Sequence, residues 1–423
     1  MGQQLQSVRG MNDILPQDCP AWRELEDQII GILASYGYRE IRLPVVEQSG
    51  VFERSIGEAT DIVQKEMYTF EGRNGESLTL RPEGTAGCVR AALQHGLLQH
   101  LPARLWYLGP MFRHERPQRG RHRQFHQFGV EAFGPPGPDV DAELILMTAR
   151  IWHAIGLDNL RLELNSLGTA TARSAYRSIL TKYFGSRVDE LDLDSRDRLE
   201  RNPLRILDSK NPKMGAVIAE APSIAEHLDQ ESQIHFDQLC ELLTTNDIDF
   251  ELNPTLVRGL DYYSRTVFEW ITSDLGAQGT VCAGGRYDDL VELFGGKPIP
   301  AVGFAMGIER MIELKKVEGS DKLVRPDLYV MATNLELDIH AATLAESLRT
   351  SFPRWQISCH VGGGSLKSRM KKADRSGARL ALILGEEEHA NDEVTVKPLR
   401  TEDRQSVYSR HALAAELPRL LAP

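Results

Sequence analysis

The sequence predicts an α+β domain built on an antiparallel sheet and carrying a helical insertion, followed by a smaller α/β domain. Three observations carry that reading. Strand-type runs flank a stretch of about 80 residues that lacks strand signals, two of those runs bracket an arginine-rich segment as a hairpin would, and roughly the last hundred residues alternate strand and helix patterns. At 423 residues the chain exceeds the size at which a single hydrophobic core keeps growing. The expected division is 1–325, with the insertion at about 169–248, and 326–423, joined in the charged connection "KKVEGSDKLVRPD".

Taken in order, residues 20–36 place Trp22, Leu25, Ile29, Ile32 and Leu33 at helical spacing, and "YREIRLPVVEQ" is an extended segment that Pro44 confines to an edge or a bulge. "LTLR" is a short strand stopped by Pro82, after which Thr85 caps a helix to about His95. "RLWYLGPMFRHE" and "RQFHQFGVEAF" form an antiparallel pair with a long tip. Beyond residue 169 polar, helix-spaced sequence suggests a small satellite of helices. Strands return at Phe250 with "FELNPTLVRGLDYYSRTVFEW" and "GTVCAGGRYDDL", and "AVGFAMGIERMIEL" is a strand entering a helix. The final segment reads as "DLYVMAT", a helix from about Leu337 to Ser351, "WQISCHV", a basic helix, "RLALILG", "EVTVKPL" and a last helix ending near Leu421.

Composition excludes several classes. No apolar run approaches the roughly 20 residues that span a bilayer, and the polar opening "MGQQLQSVRG" lacks the apolar region of a secretory leader, so the expectation is a cytoplasmic protein without membrane contact. Five scattered cysteines with no C-x-x-C pair argue against a disulfide framework and a zinc site, and are expected to be buried or partly buried. From Pro326 onward 13 acidic residues balance 13 basic ones, so the first 325 residues carry the whole net charge of −11 and local clusters must be read instead.

The sharpest cluster lies in "MFRHERPQRGRHRQFHQFGVEAF", which sets five arginines between Arg113 and Arg123 against Glu115 alone. Guanidinium groups bind phosphate and carboxylate bidentately, so the loop is suited to an anion, and Phe125 beside it can stack on a flat base. Along the following strand Phe125, Gln127, Gly129, Glu131 and Phe133 share one face, and His126, Phe128, Val130 and Ala132 the other. Gln127 and Glu131 flank a glycine, which lets a ligand approach the backbone between two polar grips; a solvated sheet face gives the same pattern. Tyr262 and Tyr263 are adjacent, so in a regular strand one of them faces the core. "GGGSLK" misses the phosphate-loop pattern and reads as a glycine turn entering a helix. Six cations between Lys367 and Arg379, with Leu366, Met370 and Ala373 as an apolar stripe, mark an amphipathic helix with an exposed basic side.

Several of these stretches resemble a known family. "FRHE" resembles motif 2 of class II aminoacyl-tRNA synthetases, "GIER" ending at Arg310 motif 3, and the strand around Pro44 motif 1. "LVRGLDYYSRTVFEW" and "CAGGRYDDL" resemble the two peptides characteristic of the histidyl-tRNA synthetase family, and "TLRPEGTA", "GRHRQFHQ", "RNPLRILDSKNP" and "RGMND" match as well. The resemblance implies a class II catalytic domain with an anticodon-binding domain behind it. It also implies a homodimer that activates L-histidine with ATP to histidyl-adenylate and then transfers it to histidine tRNA.

The family's roles fall on matching positions. Glu83, Thr85 and Gln127 would hold the α-amino group of histidine, with Gly84 between the first two. Glu131 and Tyr263 would bond the imidazole nitrogens, and Tyr262 and Tyr287 line the pocket. Arg113 would touch the α-phosphate and the substrate carboxylate, Arg258 the α-phosphate from the opposite side, Arg310 the γ-phosphate and Arg121 the outer phosphates, with Phe125 on adenine and Glu115 at the nucleotide. Mg2+ would come with the ATP phosphates, with no metal site of the protein's own. For tRNA the implied contacts are Gln118 and Arg119 at the loop tip and Lys367, Arg369, Lys371 and Lys372 on the basic helix, with Trp355 or Tyr408 to stack on bases where exposed. Departures are few: His122 stands where relatives often have tyrosine, and Asp289 where glycine is common. A noncatalytic regulatory subunit of ATP phosphoribosyltransferase resembles the same catalytic domain, but such paralogues typically lack the C-terminal domain and part of the arginine set. An RNA-binding module without turnover is a further alternative.

Overall fold

The structure is a computed structural model that describes residues 5–57, 60–118, 120–209, 211–276, 279–317 and 325–422. The chain divides into two compact units, Met1–Asp321 and Lys322–Pro423. The first is organised by an eight-stranded sheet whose strands run, in spatial order, 39–40, 103–112, 124–133, 301–307, 280–286, 264–271, 161–166 and 251–252. All neighbours are antiparallel except the outermost pair at each edge.

The alternation expected for the strand Gln124–Phe133 decides what each face does. Phe128, Val130 and Ala132 lie in one core with the helices Cys19–Ser35, Pro138–Ile155, Gln230–Thr245 and Ile308–Val317. The first of these helices starts after Asp18 with Pro20 in its opening turn and buries Trp22, Leu25, Ile29 and Leu33, the 3.6-residue stripe read from the sequence. The opposite face carries Gln127 and Glu131, and is covered instead by helix Ala170–Gly185 and the turns after it, through Tyr176, Leu180, Phe184 and Ile206. The helices of 170–245 are therefore not a separate satellite: Leu239 and Leu243 complete the core on one side of the sheet and Tyr176 and Leu180 that on the other.

Pro44 does more than bend one strand. It separates Arg39–Glu40, on the edge of the large sheet, from Val46–Gln48, which joins a small antiparallel sheet with 77–80 and 68–71. The hairpin strands are shorter than expected. Pairing ends at Phe112 with Gln124, so Arg113 and Glu115 stand in the loop. The helix Thr85–Gln94 starts as expected but is capped differently: the Glu83 carboxylate accepts from the amides of Thr85, at 2.6 Å, and Ala86, at 3.0 Å, leaving the Thr85 hydroxyl for another partner.

The second unit is a five-stranded sheet in the order 357–359, 328–332, 380–384, 393–398, 406–409, parallel over the first three strands and antiparallel beyond. Strand Ser406–Ser409 was not evident in the sequence because its residues are mostly exposed and polar at an edge. Cys88 and Cys282 are buried and Cys19, Cys240 and Cys359 half-buried, all unpaired, as expected.

Register sets Tyr107 directly opposite Gly129. A Cβ at Gly129, or at Gly84, would fall inside the Tyr107 ring, so both glycines are required by packing and not by backbone angle. Gly129→Ala is expected to lower stability by about 1–3 kcal/mol or more through overpacking, read as a lower midpoint in thermal denaturation.

Candidate active site

The polar face of the hairpin, the loop that joins its strands and the segment Val257–Tyr263 enclose a cavity of about 370 Å³. Its lining includes Glu83, Gly84, Thr85, Arg113, Glu115, Arg121, Phe125, Gln127, Arg258, Tyr262, Tyr263 and Arg310, residues drawn from four separate stretches of the chain. Glu131 and Tyr287 lie one layer beneath, fully buried.

The floor is a single carboxylate surrounded by hydroxyls. Glu131 Oε1 accepts from Thr85 Oγ1 at 2.8 Å and from the Tyr107 hydroxyl at 3.0 Å, while the Tyr287 hydroxyl donates to Oε2. Burial pushes the Glu131 carboxyl up to about 8 even though those three donors favour its ionised form. Glu83 is raised too, again by burial, against the two amides it caps. Beside them the Gln127 Oε1 is buried and makes no hydrogen bond, so a ligand donor is the group that would satisfy it. Tyr262 and Tyr263 do not point to opposite sides. They sit in a turn just before strand Ser264–Ile271, and their rings meet at 4.7 Å with Tyr262 also edge-on to Tyr287 at 5.6 Å.

The roof is cationic. Arg113 is fixed by its Nε on the Pro82 carbonyl at 2.9 Å and lies over the Phe125 ring at 5.4 Å. Arg258 pairs with Glu269, whose other oxygen accepts from Thr280 Oγ1 at 2.8 Å; the Arg258 Nε is buried with no partner. Arg310 Nε donates to the Gly120 carbonyl at 3.0 Å and its Nη1 to the Thr280 carbonyl, and burial, with Arg121 and Arg113 nearby, lowers its pKa to about 10. Arg121 pairs with Glu115. Like charges held this close, with donors left over, form a receptor for a polyanion.

Residues 10–311 match the histidyl-tRNA synthetase family model, and residues 327–419 match the anticodon binding domain. The chain belongs to the histidyl-tRNA synthetase family. An apo histidyl-tRNA synthetase structure from S. aureus is 34% identical, with 98% of this chain and 100% of that one covered at a TM-score of 0.81. Two more distant structures share the fold: a histidyl-tRNA synthetase from Nostoc, at 20% identity, 99% and 100% coverage and TM-score 0.68, and a protein from Bacillus halodurans. The latter is described as an ATP phosphoribosyltransferase regulatory subunit/histidyl-tRNA synthetase, at 21% identity, 91% and 99% coverage and TM-score 0.62.

Relative to the synthetase motifs read from the sequence, four residues of this site went unnoticed: Tyr107, Glu269, Thr280 and Glu309. Glu309 accepts from the His126 amide and ring Nδ1, both at 2.9 Å, and so ties the helix that carries Arg310 to the hairpin. Only Tyr107 had a signal, since counting back along an even hairpin pairs it with Gly129.

The implied tRNA contacts are dispersed. Gln118 is exposed in a tight turn with Arg121, and Arg119 lies outside the described residues. On the helix Leu366–Arg375, Lys367, Lys371 and Lys372 are exposed, but Arg369 is 1% exposed and cannot belong to the basic surface. Its guanidinium pairs with Asp338 and donates to the carbonyls of Gly364 at 2.9 Å and Ala332 at 3.1 Å, which makes it a brace inside the domain. Leu366, read as part of the apolar stripe, is 43% exposed instead. Trp355 is stacked on Phe352 at 4.0 Å, and Tyr408 is half-buried against the same core.

Because the folded protein holds the Glu131 proton more tightly than the unfolded chain, the stability this group contributes is full below about 4.5 and is lost as pH rises through about 8. Glu131→Gln is expected to flatten that part of the pH profile in urea unfolding.

Proposed function

We propose that the protein is a histidine–tRNA ligase: it activates L-histidine with ATP to histidyl-adenylate and pyrophosphate, then transfers the histidyl group to the 3′-terminal adenosine of histidine tRNA. One observation supports this most. Arg113 and Arg258 line the same cavity as Gln127 and Tyr263, with Glu131 directly below.

In this reading the α-ammonium group of histidine donates to Gln127 Oε1 and to Glu83 and Thr85, and the imidazole lies between Glu131 and Tyr263. An imidazole satisfies both an acceptor and a phenol, whereas an apolar side chain of the same size would leave the buried carboxylate without its partner, a mismatch that gives strong discrimination. The histidine carboxylate is already ionised, so no general base is needed to create the nucleophile. Arg113 and Arg258 flank the α-phosphate from opposite sides, and charge that builds on its nonbridging oxygens during in-line attack is met by guanidinium groups already held in place. Arg310 and Arg121 take the outer phosphates, Glu115 orients Arg121, and Phe125 covers the adenine. Magnesium enters with the nucleotide, bound by phosphate oxygens. Transfer follows when the ribose hydroxyl attacks the activated carbonyl and AMP leaves. The exposed Lys367, Lys371 and Lys372 meet the tRNA, and the working form is a cytoplasmic homodimer.

A regulatory subunit is the second reading, favoured by the description of the Bacillus halodurans neighbour. Against it stands the full arginine set, Arg113, Arg121, Arg258 and Arg310, in one cavity.

Histidine-dependent ATP–pyrophosphate exchange decides between them, and histidine binding without exchange would leave the regulatory reading. Arg258→Ala is expected to lower the exchange kcat about 100-fold or more with little change in histidine affinity. It also strands Glu269 with only Thr280, so some loss of thermal stability accompanies it. Lys371→Gln with Lys372→Gln is expected to raise KM for tRNA in the charging assay while exchange stays at the wild-type rate.

A further inference from the structure

Behind the segment Val257–Tyr263 lies another cavity, of about 270 Å³, closed on its far side by the helix Ala170–Gly185 and the turn Pro203–Ile206. Val257, Arg258, Leu260 and Tyr263 line both cavities, so a single stretch of chain is the wall between them. Nothing in the proposed reaction uses the second one.

Its chemistry is specific. Arg173, Arg177 and Arg205 all line it, and among the described residues each is anchored by a backbone carbonyl and not by a carboxylate: Arg173 on Tyr263, Arg177 on Arg201, and Arg205 on Arg258 at 3.5 Å. The one carboxylate in the lining is Asp261, and it is already bonded to the Asn202 amide at 2.8 Å. Beside Arg258, which is paired with Glu269, these three guanidinium groups line a space with one carboxylate in its wall, and a carbonyl anchor fixes a guanidinium without neutralising it. Burial lowers the Arg173 pKa even though the carboxylates of Asp289 and Asp261 act in the other direction. The Oδ1 of Asn202, in the same lining, is buried and accepts no hydrogen bond.

An anion alone would satisfy the arginines but not Asn202, which requires a donor. A phosphate with a sugar hydroxyl beside it meets both demands. We propose that this second cavity binds a ribose-phosphate group, the phosphate held by Arg173, Arg177 and Arg205 and a ribose hydroxyl donating to Asn202 Oδ1. The group belongs either to an RNA strand or to a free sugar phosphate, which offer the same chemistry. Because Arg173 and Arg205 also hold the carbonyls of Tyr263 and Arg258, an occupant here touches the wall of the first cavity from behind. The site stands on its own geometry and does not depend on ligase turnover, which wild-type exchange tests separately.

The test uses the full chain and three probes: a short single-stranded oligoribonucleotide, the same sequence in deoxyribose, and ribose 5-phosphate. Arg113→Ala serves as the background that weakens anion binding in the first cavity. Arg177→Gln and Arg205→Gln, each made in that background, are expected to weaken binding about tenfold or more, the loss of one charged hydrogen-bonding group. For the oligoribonucleotide the salt dependence should also flatten by roughly 0.7 in log–log slope, one phosphate contact on a single strand. A response with the oligoribonucleotide and not its deoxyribose counterpart assigns the site to RNA, and one with ribose 5-phosphate alone assigns it to a free sugar phosphate. Thermal denaturation checks that Arg177→Gln, a change at an exposed position, stays folded. Unchanged affinity for every probe in both folded variants would overturn the proposal.

Discussion

A carboxylate buried in the middle of a sheet governs the arrangement of the first unit. Among the described residues Glu131 has no counter-ion, and it is tolerated because hydroxyls from three distant parts of the chain, Thr85, Tyr107 and Tyr287, converge on it. Each of those hydroxyls then constrains its surroundings. Tyr107 can lie flat only because Gly84 and Gly129 have no side chain, and Glu131 itself fits only because a Cβ at Gly303, its register partner, is absent. Thr85 can turn its hydroxyl to the floor because Glu83 caps the helix in its place. The glycines, the cap and the tyrosines are thus consequences of one polar group placed where the sheet would otherwise be apolar.

The cations above it follow a different logic. A guanidinium in a water-poor cavity must be held, and how it is held determines how much charge it presents. Arg121 and Arg258 are paired with carboxylates, Glu115 and Glu269, and so wait in a neutralised state from which a phosphate can draw them. Arg113 and Arg310 rest on carbonyls, Pro82 for the former and Gly120 and Thr280 for the latter, and keep their charge. The mixture keeps the unliganded cavity from concentrating four uncompensated charges while leaving a positive field for an incoming polyanion.

The sequence revealed what depends on local periodicity. The hairpin, its two faces, the buried stripe of the first helix and the order of the second unit all follow from spacings of two or 3.6 residues. Hidden were the pairings between distant segments. Glu269 appears in a β-rich run as an ordinary polar position, and only the fold brings it to Arg258; Arg369 looked like one more cation on a basic face, and only the fold brings Asp338 beneath it. The turn at Tyr262 and Tyr263 was obscure for a related reason. Strand alternation assumes extended backbone, and here Tyr262 and Tyr263 precede the strand at the end of a turn, which frees both rings to face inward.

Arg369 also explains why charge counting along a helix is a poor guide to an interface. A lysine at that position would offer one ammonium to four oxygens spread over Asp338, Gly364 and Ala332, whereas the planar fork reaches all of them at once. Burial of an arginine is therefore favoured wherever the backbone leaves several acceptors in one plane, as it does at the end of strand Leu328–Ala332. Among the described residues the neighbouring lysines have no such cluster of acceptors: Lys372 reaches one carbonyl, that of Val361 at 3.5 Å. The lysines remain exposed to water, as does Arg375 at the end of the same helix, so the cations the helix presents are fewer than its sequence counts.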